Sequence, residues 1–366
     1  MAQQKKPDEP FEPCCLPTTI GSMPHRDVAW ATDLMLAATP EIPSWVQFPH
    51  ISPAENMMVQ FTEGLPGIVL KQDKAFFDTS ADDFVERLTV FFTHYLAVTG
   101  EGSGEALEHF AISRPFAAGF WELVEKLPWL EGVVMPKGQV TGPVTLGLNI
   151  MDQEGRCSYY DERLRDVIVK IVAMKAMWQI RFLKAGGPRV MMFLDEPSLL
   201  GFGSHMLITI SREDVIRDIN EVVAAIHGEG GISGVHCEEN TDWSILMQTD
   251  LDILDFDAYE HLQSIMLYPD ELLAFFKRGG VLGWGIVPTL NPEAAQKETL
   301  ESLLDRFEGG IDSLAAMGIN RGLLLRRALI TPSCGMGGVL TEPLAERVLN
   351  LLRELSDAVR RRYAFE

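Results

Sequence analysis

Short hydrophobic runs recur along the chain and alternate with longer stretches in which apolar residues follow a helical spacing. The short runs are typical of buried strands, and the longer stretches are typical of helices that cover a sheet. Strands are predicted at 15–20, 42–48, 133–140, 189–194, 232–236, 251–256, 281–287 and 325–330. Eight strands that alternate with helices indicate parallel pairing, so the predicted fold class is α/β, a single (β/α)8 TIM barrel with an N-terminal extension.

Capping residues and glycines set the predicted helix boundaries. Helices are predicted at 80–98, 161–184, 211–227, 269–277 and 298–317, with a last helix that opens at Thr341-Glu342-Pro343. Ser80 and Ser211 are residue types that cap helix starts, and Gly186-Gly187-Pro188 is a typical helix stop. The polar, proline-rich residues 1–13 are predicted to be a flexible tail, and 14–366 the barrel domain.

Composition narrows the class of protein. The chain has 366 residues, 46% of them hydrophobic, and 52 acidic against 31 basic residues give a formal charge of −21. Such a charge repels phosphate backbones and anionic lipid surfaces, so neither nucleic acid nor a membrane is expected as a partner. No apolar run reaches about 18 residues, the N-terminal residues lack a signal-like apolar segment, and the five cysteines are thinly spread. A cytoplasmic protein with reduced thiols is expected.

Candidate metal ligands follow two predicted strands. Cys237 and Cys334 lie at strand ends, and His236 precedes the first of them. In a barrel the carboxyl ends of the strands share one face, so residues 22, 195, 237, 257 and 334 are expected to line one pocket. Thiolate and imidazole suit Zn(II), although buried thiols are also common in protein cores.

Strand alternation leaves the third ligand open. Neighbouring residues on a strand point to opposite faces, so His236 and Cys237 cannot both face the pocket unless the strand has ended or bulges. If His236 faces away, the ligand must come from Asp257, Glu260, His261 or His205. We rank His236 first and Asp257 second.

Two adjacent carboxylates, Asp195 and Glu196, follow another hydrophobic run. They could hold a cationic group of a substrate. A negative charge at a helix N-terminus is the alternative interpretation.

Several stretches together resemble the C-terminal catalytic barrel of the cobalamin-independent methionine synthase family. That family belongs to the superfamily of uroporphyrinogen decarboxylase and the methylcobamide:thiol methyltransferases. The matching stretches occur in family order over 16–360 and are Thr18-Thr19-Ile20-Gly21-Ser22, Pro53 with Asn56, Met58 and Val59, Thr141-Gly142-Pro143-Val144-Thr145, Leu194-Asp195-Glu196-Pro197, Gly283-Trp284-Gly285-Ile286-Val287 and Pro332-Ser333-Cys334-Gly335.

The resemblance implies a zinc-dependent thiol methyltransferase. Cys237 matches the cysteine of the family's His-x-Cys ligand pair, and Cys334 matches the later cysteine ligand. Ser22 and Asp195 match residues that bind the amino-acid end of homocysteine, which makes Asp195 the candidate catalytic residue. Asp257 falls where the synthases carry a glutamate near zinc. Ser22, Ser52, Asp195 and Glu196 are the expected substrate-binding residues, and His236, Cys237, Cys334 and Asp257 the expected metal ligands.

Three departures from the family pattern bear on the methyl donor. His236 is displaced by one position from the family's His-x-Cys, Ser52 stands where the family has a glutamate, and Pro288-Thr289-Leu290 replaces an Asp-x-His that serves the folate donor. These changes favour a methylcorrinoid, free or on a corrinoid protein, over methyltetrahydrofolate. The acceptor is expected to be a small thiol resembling homocysteine or coenzyme M. The alternatives are a metal-free enzyme similar to uroporphyrinogen decarboxylase and a non-catalytic barrel that binds a corrinoid or a thiol.

Overall fold

The computed structural model describes residues 10–71, 74–201, 210–238 and 241–365. Within these ranges, six strands form one parallel sheet in the order β3-β5-β6-β7-β8-β9, and a small second sheet has the order β1-β2-β4. The strands are β1 Ile68–Lys71, β2 Lys74–Phe77, β3 Lys137–Thr141, β4 Met151–Asp152, β5 Met191–Asp195, β6 Ile232–Cys237, β7 Ile253–Phe256, β8 Val281–Val287 and β9 Ala328–Pro332. The fold is therefore of the α/β class.

Helices precede, separate and follow the strands of the parallel sheet. They are α1 Val28–Ala38, α2 Met57–Gln60, α3 Phe84–Glu101, α4 Gly104–Leu107, α5 Ala118–Lys126, α6 Pro143–Asn149, α7 Glu162–Leu183, α8 Arg212–Gly228, α9 Trp243–Met247, α10 Leu262–Met266, α11 Pro269–Lys277, α12 Pro292–Lys297, α13 Leu300–Ala316, α14 Arg321–Arg326 and α15 Glu342–Arg362. Among the described residues, none of these helices combines the length and the apolar character that crossing a bilayer requires.

The predicted strands at 15–20 and 42–48 are extended segments that make only isolated bridges. Parallel bridges join Pro17 to Ile330 of β9, Ser22 to Gln47, and Ser44 to Lys137 of β3. Each segment contains a proline, Pro17 or Pro43, which has no backbone N–H to give to a ladder. The two segments nevertheless lie side by side between the edge strands of the sheet.

A compact apolar layer lies at the amino-terminal ends of the strands. Its members are Leu16, Ile42, Met135, Met191, Phe193, Ile232, Ile253, Val281 and Leu329. Phe11 packs against this layer, so the end of the predicted tail contacts the sheet, while residues 1–9 of that tail lie outside the described residues. This layer forms a second, smaller apolar core beside the large one.

Candidate metal and substrate site

A cavity of about 420 Å³ opens at the carboxyl ends of the strands. Asp195 comes from the end of β5, His236 and Glu238 from the end of β6, and Cys334 from the loop after β9. The segment before α1 contributes Ser22. Residues more than three hundred positions apart in sequence thus meet on one cavity, as expected where parallel strands end together.

His236 faces this cavity and is held from behind by a carboxylate. Its Nδ1 lies 2.6 Å from Asp255 Oδ1, and the other oxygen of Asp255 accepts a hydrogen bond of 2.7 Å from the Thr331 hydroxyl. Burial alone would lower the pKa of His236, but the hydrogen bond and the charge of Asp255 outweigh it and raise that pKa above its ordinary value. His236 Nε2 is buried and has no hydrogen-bond partner among the described residues.

Three potential ligand atoms converge around His236. One atom each from His236, Glu238 and Cys334 lie within 4.8 Å of one another. Burial raises the pKa of the Cys334 thiol well above its ordinary value, and so do the charge of Glu238 and a hydrogen bond to it. Imidazole nitrogen, carboxylate oxygen and thiolate sulfur are all zinc ligands, and a zinc-bound histidine usually gives its other nitrogen to a carboxylate. The unpartnered Nε2 and the Asp255 contact fit that arrangement.

Cys237 lies on the opposite face of β6. Its Sγ donates a hydrogen bond of 3.0 Å to the Glu196 carbonyl, and its side chain belongs to the large hydrophobic core. Because side chains alternate along a strand, the inward positions at this end are 236 and 238. His236 and Glu238 accordingly line the cavity together, while the Cys237 side chain is turned away from it.

The other ligand candidates lie apart from this cluster. Asp257 is buried after β7, where its Oδ1 accepts a hydrogen bond of 2.8 Å from the Glu260 backbone N–H. Burial raises the pKa of Asp257 to about 6. In the described part of the chain, the cluster of potential ligand atoms from His236, Glu238 and Cys334 includes no atom of Asp257, Glu260 or His261. His205 lies outside the described residues.

Asp195 lines the cavity with its carboxylate. The side chain is 6% exposed, and its Oδ1 has no hydrogen-bond partner within the described ranges. Burial raises the pKa of Asp195 to about 6, although the nearby His236 and Lys137 pull it down. Such an oxygen could accept a hydrogen bond from a cationic group placed in the cavity.

Lys137 is a buried lysine near the carboxylates of Asp195 and Asp255. Lys137 Nζ lies 4.5 Å from the centre of the Phe193 ring and has no hydrogen-bond partner among the described residues. Burial lowers its pKa to about 8, against the attraction of Asp195 and Asp255. The sequence alone does not reveal this position, because lysine at the start of a strand is usually exposed.

Glu196 points away from the cavity and caps α6. Its Oε1 accepts a hydrogen bond of 3.0 Å from the Val144 N–H, and its Oε2 accepts one of 2.7 Å from the Thr145 N–H. A carboxylate at a helix N-terminus satisfies amide groups that would otherwise be unpaired. Burial nevertheless raises the pKa of Glu196 to about 7.

The two serines take different positions. The Ser22 hydroxyl lines the cavity and accepts a hydrogen bond of 3.2 Å from the Gly337 N–H, which ties it to the loop that carries Cys334. The Ser52 hydroxyl accepts a hydrogen bond of 3.2 Å from the Ala54 N–H and caps a short turn. From that turn it is Glu55 that reaches the cavity lining.

Comparisons with known proteins agree with this geometry at the level of the fold. No protein-family model matches the sequence, and no match is found among curated proteins. Among solved structures, a B12-independent methionine synthase from Shewanella sp. W3-18-1, in complex with selenomethionine, is 16% identical. The match covers 96% of this chain and 99% of that chain with a TM-score of 0.57.

A methyltransferase from Methanosarcina mazei is 12% identical, with 98% of this chain and 96% of that chain covered and a TM-score of 0.54. At these identities the likeness shows a shared fold. The chain has the α/β fold that is found in these methyl-transfer proteins, over nearly its whole length.

Proposed function

We propose that the chain is a zinc-dependent methyltransferase that moves a methyl group to a small-molecule thiol. The observation that carries this proposal is the convergence of ligand atoms from His236, Glu238 and Cys334 on a cavity at the strand ends. The fold shared with methyl-transfer proteins gives independent support. Of the metal ligands expected from the sequence, His236 and Cys334 stay in the proposal, and Glu238 takes the place of Cys237 and Asp257.

The proposal assigns the residues around the metal separate tasks. Zinc bound by the three residues would supply a positive charge that lowers the pKa of an acceptor thiol. Asp255 fixes the ring of His236 through Nδ1, so that Nε2 is the free nitrogen. Thr289 steadies the Cys334 loop, because its hydroxyl lies 3.1 Å from the Ser333 hydroxyl and 3.2 Å from the Cys334 carbonyl oxygen.

The remaining cavity residues would hold the acceptor. A volume of about 420 Å³ is within the range for small-molecule sites, which start near 300 Å³. Asp195 would accept a hydrogen bond from a cationic group of the acceptor and hold its sulfur in line with the methyl donor, and Ser22 would bound the other side. Alignment is the main requirement of a displacement at a methyl carbon.

In the proposed step, the acceptor thiolate attacks the methyl carbon. A sulfur–carbon bond forms, and the bond between the methyl group and its donor breaks with its electron pair left on the donor. The thiol proton goes to solvent before the attack. We propose a methylcorrinoid donor, since the family's folate-serving Asp-x-His is absent from Pro288-Thr289-Leu290.

At the level of architecture, we propose that residues 14–366 form one (β/α)8 barrel. Six strands of the barrel would be those of the parallel sheet. The extended segments around Pro17 and Ser44 would occupy the other two places, and the bridges of these segments to β9 and β3 support that arrangement.

The test is a transfer assay with a matched pair of variants. Zinc-loaded protein is mixed with methylcobalamin and either homocysteine or coenzyme M, and the loss of methylcorrinoid absorbance is followed. A second arm offers methyltetrahydrofolate in place of methylcobalamin, and there the methylated thiol is measured. Transfer to at least one thiol is expected, with a fall of about 100-fold or more in Cys334→Ser and little change in Cys237→Ser. Absence of transfer from methylcobalamin to both thiols, or equal rates in the two variants, would overturn the proposal.

A further inference from the structure

A second cavity lies at the opposite end of the parallel sheet. It has a volume of about 560 Å³, larger than the candidate methyl-transfer site, and its walls come from the amino-terminal ends of the strands. Arg189 precedes β5, Ile232 begins β6, Val281 begins β8, and Arg327 precedes β9. A strand of five residues spans about 16 Å, so the two cavities are separate sites.

Four cationic side chains line this cavity. They are Arg189, Lys277, Arg278 and Arg327. Arg327 is 9% exposed; its Nη1 donates a hydrogen bond of 2.6 Å to the Phe276 carbonyl, and its Nε has no hydrogen-bond partner in the described part of the chain. Arg278 donates to the carbonyls of Thr249 and Leu251, which are neutral acceptors. The unpartnered Nε of Arg327 is therefore a buried donor at the wall of this cavity.

The acidic groups nearby compensate this charge only in part. Asp252 lines the cavity, but its Oδ2 lies 2.7 Å from His227 Nε2 and accepts a hydrogen bond of 3.0 Å from the Ser233 N–H. Glu12 lies 3.9 Å from Arg327 Nε and also pairs at 3.1 Å with Arg326. Asp250 is the remaining carboxylate of the lining. The four lining cations therefore have three carboxylates nearby, of which Asp252 is engaged by His227 and Glu12 is shared with Arg326.

This local excess of positive charge is unusual for the molecule. The chain carries a formal charge of −21, which disfavours the approach of anions in general. Charges are screened beyond about 8 Å at physiological salt, so a cluster of cations can still bind an anion at short range. The apolar part of the lining includes Phe11, Val223 and Val281.

We propose that this cavity binds a small organic anion, with its phosphate or carboxylate group on the Arg189, Lys277 and Arg327 side and a flat apolar body against Phe11 and Val281. Guanidinium groups are well suited to such oxyanions because they can donate two parallel hydrogen bonds. The proposal concerns a site other than the one proposed for methyl transfer and is independent of that function.

The test is calorimetric titration of the full chain with three probes at low ionic strength. Phenyl phosphate presents both features, inorganic phosphate presents only the oxyanion, and benzoate replaces phosphate by a carboxylate. Saturable binding of phenyl phosphate or benzoate is expected, at least several-fold tighter than that of inorganic phosphate. An affinity for inorganic phosphate equal to that for both aromatic probes would refute the proposed contact of an apolar body with Phe11 and Val281. Failure of all three probes to bind would refute the site.

Charge-reversal variants locate the binding. Lys277→Glu and Arg189→Glu are expected to weaken the affinity about tenfold or more, since each removes a charged contact and adds a repulsive one. Lys74→Glu changes the net charge equally at an exposed position on β2 and should leave the affinity within about twofold. Equal loss in all three variants would contradict the proposal, as would loss of binding in Cys334→Ser, which alters only the other cavity.

Discussion

Asp255 offers a sharp test of how the candidate metal site is built. Its carboxylate is fully buried and contacts His236 Nδ1 at 2.6 Å on one oxygen and the Thr331 hydroxyl at 2.7 Å on the other. Asp255→Asn keeps the shape of the side chain and removes its charge. The imidazole then loses the carboxylate that fixes its tautomer and orientation.

Loss of such an outer carboxylate typically weakens metal binding by about 10-fold to 100-fold, which corresponds to about 1.4 to 2.7 kcal/mol. We expect Asp255→Asn to fall in this range. The upper half is favoured because the contact is short and no water competes with it in a fully buried position.

Zinc affinity can be measured by competition with a chromophoric chelator, for the wild-type protein and the variant. The matched control is Asp252→Asn, since Asp252 lies 2.7 Å from His227 Nε2 at the other end of the sheet. Its zinc affinity should stay within about twofold of wild type. Equal affinities for Asp255→Asn and wild type would refute the idea that His236 is a ligand positioned by Asp255.

Three further outcomes are expected. Glu238→Ala should weaken zinc binding at least about tenfold in the same competition assay; an unchanged affinity would remove Glu238 from the ligand set. Gly142→Ala should destabilise the fold by about 1 to 3 kcal/mol in urea unfolding, because the added Cβ would lie 2.2 Å from Glu196 Oε1. The control is Gly309→Ala, whose added Cβ meets nothing within 4 Å and which should be neutral or stabilising. The zinc-free protein should lose stability as pH rises from about 4.5 to 7. Burial raises the pKa of Glu196 from its ordinary value of 4.5 to about 7, so between these pH values the folded state holds a proton that the unfolded state has released. Glu196→Gln should flatten this slope, by on the order of 2 kcal/mol across the interval, and an unchanged slope would count against the assignment.

The hydrophobic pattern predicts much of the frame because local signals and packing agree there. The helix Pro269–Lys277 and the strand Val281–Val287 have the predicted bounds, and Ser211 caps α8 as predicted. Around Pro17 and Pro43 the same pattern predicts regular strands that the structure does not contain. Apolar residues are buried there, but proline has no backbone N–H to donate to a neighbouring strand.

The candidate site is harder to predict because it depends on register. Alternation predicts that His236 and Cys237 face opposite ways, but which of them faces inward is set by the pairing of β6 with its neighbours. In that register His236 faces inward and Glu238 joins it, while Cys237 enters the core. Glu196 shows the same limit, because its task as a cap depends on a helix more than fifty residues away in sequence.

X-ray absorption at the zinc edge tests the central claim most directly, because it counts the sulfur atoms around the metal. Zinc-loaded protein without added thiol should have one sulfur ligand, supplied by Cys334 and lost in Cys334→Ser, together with nitrogen and oxygen ligands from His236 and Glu238. Two sulfur ligands, one of which disappears in Cys237→Ser, would contradict the account and place Cys237 on the metal.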